Sequence, residues 1–299
     1  MNRWLIVNVD EFGLTEGINE GIIQSHKYGI VTDTTMLPNM WAFDDAVELA
    51  REHDDLAVGV HLNITYGGPI LPPERVPSLV NSSGQFYRRA PFLRRLLLGK
   101  INLSEVAAEF RAQVDKVIRA GIEPSHLDSH ESIYMHPSIF RVLLPLAREH
   151  GLPVRLQDEA MPQEAFSSSS LYKSYVMSEA YFKHQVINGL ARRYREWLRA
   201  WQIPTSDYFL STFNSMRRNP KLGEALAYDL RNTQEGVTEL MAHCGFSDDR
   251  LEIFLDGGRK AALWREDEIR VLTSESLRQL ITDEGIQPIS YRSLSAALA

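Results

Sequence analysis

Arg3-Trp4-Leu5-Ile6-Val7-Asn8-Val9-Asp10-Glu11-Phe12-Gly13 opens the chain with an apolar run that closes on two carboxylates. Residues 3–9 read as a buried strand. Thr15 then caps a helix reaching about residue 28, and Gly29 stops it. The same order recurs down the chain. Strands are expected at 30–36, 56–62, 152–156, 207–212, 236–242 and 287–291, with a further short extended approach at the histidine-bearing stretch Pro124-Ser125-His126-Leu127-Asp128-Ser129-His130-Glu131. Helices are expected near 42–53, 103–120 (Ser104 as N-cap, Gly121 as stop), 137–150, 184–201, 217–232 and 265–284. Two stretches break the rhythm. Residues 66–100 form a proline-rich excursion with Arg88, Arg89, Arg94 and Arg95 in its tail, long enough to be a binding loop or lid. Residues 158–183 are serine-rich and read as an irregular insertion. Repeated strand–helix order of this length gives an α/β fold, either a parallel barrel or a doubly wound sheet, in one domain over residues 1–299.

Composition narrows the class. The 299 residues are 44% hydrophobic and 24% charged, as in ordinary globular proteins. A formal net charge of −7 argues against general nucleic-acid or anionic-membrane binding. The single cysteine, Cys244, excludes an intramolecular disulfide framework and a Cys-rich zinc site. No apolar window is long enough for a transmembrane helix and no leader pattern is evident, so a cytoplasmic location is expected. No glycine-rich nucleotide fingerprint follows any strand.

The chemistry gathers at strand ends. Asp10 and Glu11 end the first strand and His61 ends the third. His126 and His130 follow the next, Arg155 ends the one after, and His243 ends a late one. In a (β/α) barrel all of these ends face one mouth, where active sites sit. Within the histidine stretch, alternation sends His126, Asp128 and His130 to one side. Imidazoles are common metal ligands, and a carboxylate beside one can fix its tautomer. Each residue also has a structural reading. Asp10 and Glu11 could serve a helix N-terminus, His61 could be a core histidine, and Arg155 could be an ion-pair partner. A His243–Cys244 dyad is disfavoured because adjacent strand residues face opposite sides. His26, His53, His136, His150 and His184 fall in helical contexts and read as structural or exposed.

Five blocks in order, Val9-Asp10-Glu11-Phe12-Gly13-Leu14, Gly29-Ile30-Val31-Thr32, Gly59-Val60-His61-Leu62-Asn63-Ile64-Thr65, His126-Leu127-Asp128-Ser129-His130 and Glu239-Leu240-Met241-Ala242-His243, resemble the YdjC-like carbohydrate deacetylase family, which includes the chitooligosaccharide deacetylases. The resemblance implies an irregular (β/α) barrel related to the NodB-type polysaccharide deacetylases, with helical and loop insertions. It implies a hydrolase that removes acetyl groups from N-acetylated amino sugars or oligosaccharides. Carried over by position, it makes Asp10 the general base and Glu11, His61 and His130 the ligands of a divalent metal. Glu11 stands where the family has aspartate, Glu131-Ser132 where it has further histidines, and Cys244 where it has proline. The residues suit that chemistry. Three ligands leave a position for an activated water, Asp10 can take its proton, and His243 can protonate the leaving amine. Arg155 could orient Asp10 or hold a substrate oxygen. Magnesium is the ion commonly described for the family, whereas two imidazoles suit zinc. A metal-dependent phosphoesterase and a carbohydrate-binding or regulatory descendant are the competing readings. The expected partner is an N-acetylated sugar, with no nucleic acid and no membrane insertion, and a homodimer is allowed for.

Overall fold

The opening strand β1 (Arg3–Phe12) runs through the middle of a seven-stranded sheet in which every pairing is parallel. The structure is a computed structural model describing residues 2–159, 161, 163–255 and 258–298. After β1 come α1 (Glu16–Tyr28), β2 (Asp33–Met36), α2 (Phe43–Glu52), β3 (Ala57–Leu62), α3 (Arg89–Leu97), α4 (Leu103–Arg119), β4 (Leu127–Ser129) and α5 (Pro137–His150). The second half adds α6 (Ser169–Val176), α7 (Glu179–Trp201), β5 (Tyr208–Ser211), α8 (Thr212–Arg218), α9 (Leu222–Arg231) and β6 (Gly236–Ala242). It closes with α10 (Asp249–Phe254), α11 (Gly258–Leu272), α12 (Glu275–Asp283) and β7 (Ile286–Pro288).

The strand order is β4-β3-β2-β1-β6-β5, and β7 pairs the first residues of β1 beside β2. The sheet curls until its edges nearly meet. Leu127 of β4 bridges Val154 in parallel, and the Val154 N–H donates to Pro204 O at 3.0 Å, just ahead of β5. This is an irregular (β/α) barrel. The strand expected at 152–156 survives only as that bridge, because Pro153 and Pro204 remove backbone donors on both sides of the gap.

Other differences have local causes. The helix at 103–120 is capped by Asn102, whose side chain accepts from Ser104 N, not by Ser104 itself. Ile30 and Val31 bond to Leu272 O and Ser25 O, so β2 begins only at Asp33. The stretch 158–183 is mostly helical. Ser168 and Ser178, which read as loop formers, are the N-caps of α6 and α7, and residues 160 and 162 lie outside the described residues. The helix expected over 217–232 splits at Asn219-Pro220 into α8 and α9. Within 66–100, Glu109 of α4 holds the excursion by accepting from the backbone N–H groups of Ile70 and Leu71.

Alternation along the strands sorts side chains into two layers. Leu5, Val7, Val9, Val58, Val60, Leu62, Leu240 and Ala242 join the main apolar core with the helices. The inward set differs. Ile6 and Val237 pack with Tyr291 and Leu294, so the C-terminal segment plugs the barrel floor. Above them the inward positions of β1, β2, β3, β4 and β6 are polar: Asp10, Thr35, His61, Asp128 and Glu239. A buried polar layer has to be fully paired to be tolerated, and here it lies directly under the mouth.

Candidate active site

Asp10 and Glu11 are adjacent, so a regular strand would send them to opposite faces. Both nevertheless line the same cavity. The register of β1 against β2 shifts between Val9 and Phe12, and Glu11 takes a left-handed φ of 76°. This is a β-bulge, and it turns the second carboxylate back toward the mouth. A left-handed non-glycine residue costs roughly 1–2 kcal/mol, and here that cost falls at the pair of carboxylates lining the cavity.

Arg155 is the hub beneath the mouth. It is 1% exposed and gives Asp10 two hydrogen bonds, Nη1 to Oδ2 at 2.9 Å and Nη2 to Oδ1 at 2.8 Å. Nη1 also lies 2.6 Å from Asp128 Oδ2, and Nε donates to Glu239 Oε1 at 2.7 Å. Tyr291 OH donates to the other oxygen of Glu239 at 2.5 Å. Arg155 is not among the residues that line the cavity, and its guanidinium is taken up by these three carboxylates. Asn8 Nδ2 completes Asp10 with a bond to Oδ1 at 2.9 Å. Burial pushes the Asp10 carboxyl up, but Arg155, His61 and His243 together outweigh it and hold it well below the usual carboxylate range.

His61 places Nδ1 2.7 Å from Asp128 Oδ1, and Thr35 Oγ1 lies 3.2 Å from that nitrogen. With Nδ1 committed to a carboxylate, Nε2 is the nitrogen free to ligate, the orientation that metal-binding histidines usually have. Burial lowers the basicity of His61, yet Asp128 more than restores it, so its pKa is raised. The His130 ring lies 5.7 Å from that of His61, and its Nδ1 is 3.4 Å from Glu11 Oε1. Burial takes His130 down to about 3, leaving a neutral imidazole. Glu11 is raised by burial but brought down to about 2 by Arg265, His130 and His243, so it is a carboxylate. Beyond it, His243 Nε2 lies 3.8 Å from Asp10 Oδ2, and Nδ1 is buried without a hydrogen-bond partner. Burial lowers the His243 pKa. Glu268, raised by burial to about 7, accepts from the His243 backbone N–H at 2.5 Å.

Two groups of candidate donors overlap here, and among the described residues only the first has all its ligand atoms close together. Asp10, His61 and Asp128 have ligand atoms within 4.8 Å of one another. Both oxygens of Asp10 and one of Asp128 already face Arg155, however, and the other oxygen of Asp128 faces His61. A cation placed among them would meet a guanidinium. His61, His130 and Glu11 also line the cavity, one carboxylate with two imidazoles, a donor set of the kind divalent first-row metals take; one oxygen of this carboxylate, Oε2, also faces a guanidinium, that of Arg265, and Oε1 faces His130.

His126 is not among them. It does face inward, as alternation predicts, but one turn of the barrel lower. There it stacks on Tyr291 at 3.8 Å and lies flat against Gly59, where an added Cβ would stand 2.6 Å from the ring. Cys244 turns outward to Ser25 Oγ at 3.3 Å, away from His243. The sequence reading missed Arg265 of α11, whose Nη2 lies 2.7 Å from Glu11 Oε2. It also missed the aromatic wall of Phe209, Phe213 and Trp264. The cavity lined by Asp10, Glu11, His61, His130, His243, Arg265 and these aromatic residues has a volume of about 930 Å³.

Comparison with known proteins agrees with this architecture. A family model described as YdjC-like protein matches residues 4–283. A carbohydrate deacetylase of Brevibacillus brevis is 30% identical over 97% of this chain and 99% of its own length. One of Enterococcus faecalis is 31% identical over 98% of this chain and 99% of its own length. A crystal structure from Enterococcus faecalis V583, of a protein assigned provisionally to cellobiose-phosphate cleavage, superposes with a TM-score of 0.78. It is 32% identical and covers 98% of this chain and 99% of its own.

Proposed function

The chain belongs to the YdjC-like protein family, and from that premise we propose that it is a carbohydrate deacetylase that hydrolyses the amide of an N-acetylated amino sugar with a divalent metal bound by Glu11, His61 and His130. The single observation that carries the metal reading is the arrangement at His61. A buried carboxylate occupies Nδ1, and the ring presents its other nitrogen to a cavity that also receives a neutral imidazole and an ionised Glu11. When bound, such a metal supplies a water of lowered pKa and a positive charge for the developing oxyanion.

The remaining work falls to the protein's own groups. Arg155 holds Asp10 ionised and fixed in the mouth. A carboxylate held this low is a poor resting place for a proton. A proton taken from water by Asp10 therefore passes to neutral His243, 3.8 Å away, whose cation Asp10 stabilises. His243 then gives that proton to the leaving amine, so one proton serves both halves of the reaction. Phe209, Phe213 and Trp264 offer apolar faces for a sugar ring, and the cavity is large enough for more than the acetamido group alone. Zinc suits the two imidazoles, and magnesium is the ion the family resemblance suggests.

The test is acetate release from an N-acetylated chitobiose by protein stripped with a chelator and reloaded with zinc or magnesium. The expected result is loss on stripping and recovery on reloading. Acetate release that ignores the chelator would remove the metal from the reaction, and metal uptake with no acetate release would favour a binding role.

A further inference from the structure

Glu11 sits on a strained backbone and has one methylene more than the aspartate that the family resemblance places there, so something must fix where its carboxylate points. Its two oxygens have different neighbours. Oε1 faces His130 Nδ1 at 3.4 Å, and Oε2 faces Arg265 Nη2 at 2.7 Å. The second contact is an ion pair without hydrogen-bond alignment, since Oε2 and Arg265 Nε both lack hydrogen-bond partners. Arg265 is 4% exposed, so the pair is shielded from water and salt. Its Nη1 also lies 3.4 Å from the carbonyl oxygen of His243, joining the end of β6 to the bulge at the end of β1.

We infer that Arg265 is a positioning residue of the metal centre: it anchors Glu11 Oε2 so that Oε1 alone is presented beside His130 as a one-oxygen ligand. This rests on the proposed metal centre. The opposite effect is also physical, because a guanidinium beside a ligand repels an incoming cation. Orientation outweighs repulsion if the unanchored side chain spends most of its time away from His130. A left-handed Glu11 freed from its partner has several rotamers to sample, and outer partners of metal ligands are typically worth about 10–100-fold in affinity.

The experiment is calorimetric titration of zinc into chelator-stripped wild type, Arg265→Gln and Arg265→Lys, with circular dichroism and thermal melts of each metal-free protein. Arg265→Gln is expected to weaken zinc binding about 10–100-fold while remaining folded, with Arg265→Lys recovering part of the loss through its retained charge. Unchanged or tighter binding by Arg265→Gln overturns the inference. So does a lowered metal-free melting temperature with unchanged affinity of the folded protein, which is what a merely structural arginine would give. If Arg265→Gln does not fold, Arg265→Lys carries the test, and affinity equal to wild type overturns the inference. Wild type that binds no zinc and no magnesium overturns the metal centre itself and this inference with it.

Discussion

Replacing Arg155 with leucine should destabilise the protein in a strongly pH-dependent way. The guanidinium is buried and is the common partner of Asp10, Asp128 and Glu239, at distances between 2.6 and 2.9 Å. Removing one partner of a buried ion pair costs about 3–5 kcal/mol. Here three carboxylates lose the same partner, so the cost at pH 8 lies at or above the upper end of that range. The stranded carboxylates can reduce it by taking up protons. Each proton bound by the folded variant and not by its unfolded chain recovers about 1.4 kcal/mol per pH unit, or roughly 4 kcal/mol between pH 8 and pH 5. The sign follows from the folded carboxylates of the variant being raised, so that stability is present at low pH and lost as pH rises. Urea denaturation of metal-free wild type and Arg155→Leu at pH 5, 6.5 and 8, with slopes compared, measures this directly. A loss under about 1 kcal/mol, or one that does not change with pH, would refute Arg155 as the hub of a buried charge network.

Further predictions concern individual groups. His61→Ala and His130→Ala should each abolish tight metal binding while the fold survives, since both rings end at the cavity; one equivalent of metal retained by either variant in elemental analysis removes that residue from the shell. Asp10→Asn should keep the metal and lose about 10²–10⁴-fold in rate, with some stability lost because an amide N–H₂ then faces the donors of Arg155; metal release on dialysis would make Asp10 a ligand instead. Asp33, buried with Oδ2 unpartnered and raised by burial to about 7, contributes stability that is full below about pH 4 and lost as pH rises through 7. Asp33→Asn should therefore flatten part of the fall in melting temperature over that window, and an unchanged pH profile would contradict its raised pKa.

Much of this architecture is legible in local sequence. Pro137 at the start and Gly151 at the end fix α5, and the apolar alternation of residues 236–242 fixes β6, because the deciding contacts are a few residues away. The polar strand ends of Asp10, His61 and His243 are legible for the same reason. Three features were not, each for a different physical cause. The bulge that turns Glu11 beside Asp10 depends on register against β2, which no local pattern encodes. Arg265 looks like any helical arginine until α11 packs against the mouth and brings it to Glu11. His126 has the same spacing as a ligand, and only the glycine opposite it and the tyrosine plugging the floor make it a packing residue. Serine-rich 158–183 misled in the other direction, since serine favours helix caps as much as loops.

The measurement that bears most directly on the central claim is acetate released from an N-acetylated chitobiose, followed as zinc or magnesium is titrated into the stripped protein with bound metal counted in parallel. The account predicts that acetate release rises with occupancy and saturates at one metal per chain. Release at full rate from metal-free protein, or none at full occupancy, would contradict it.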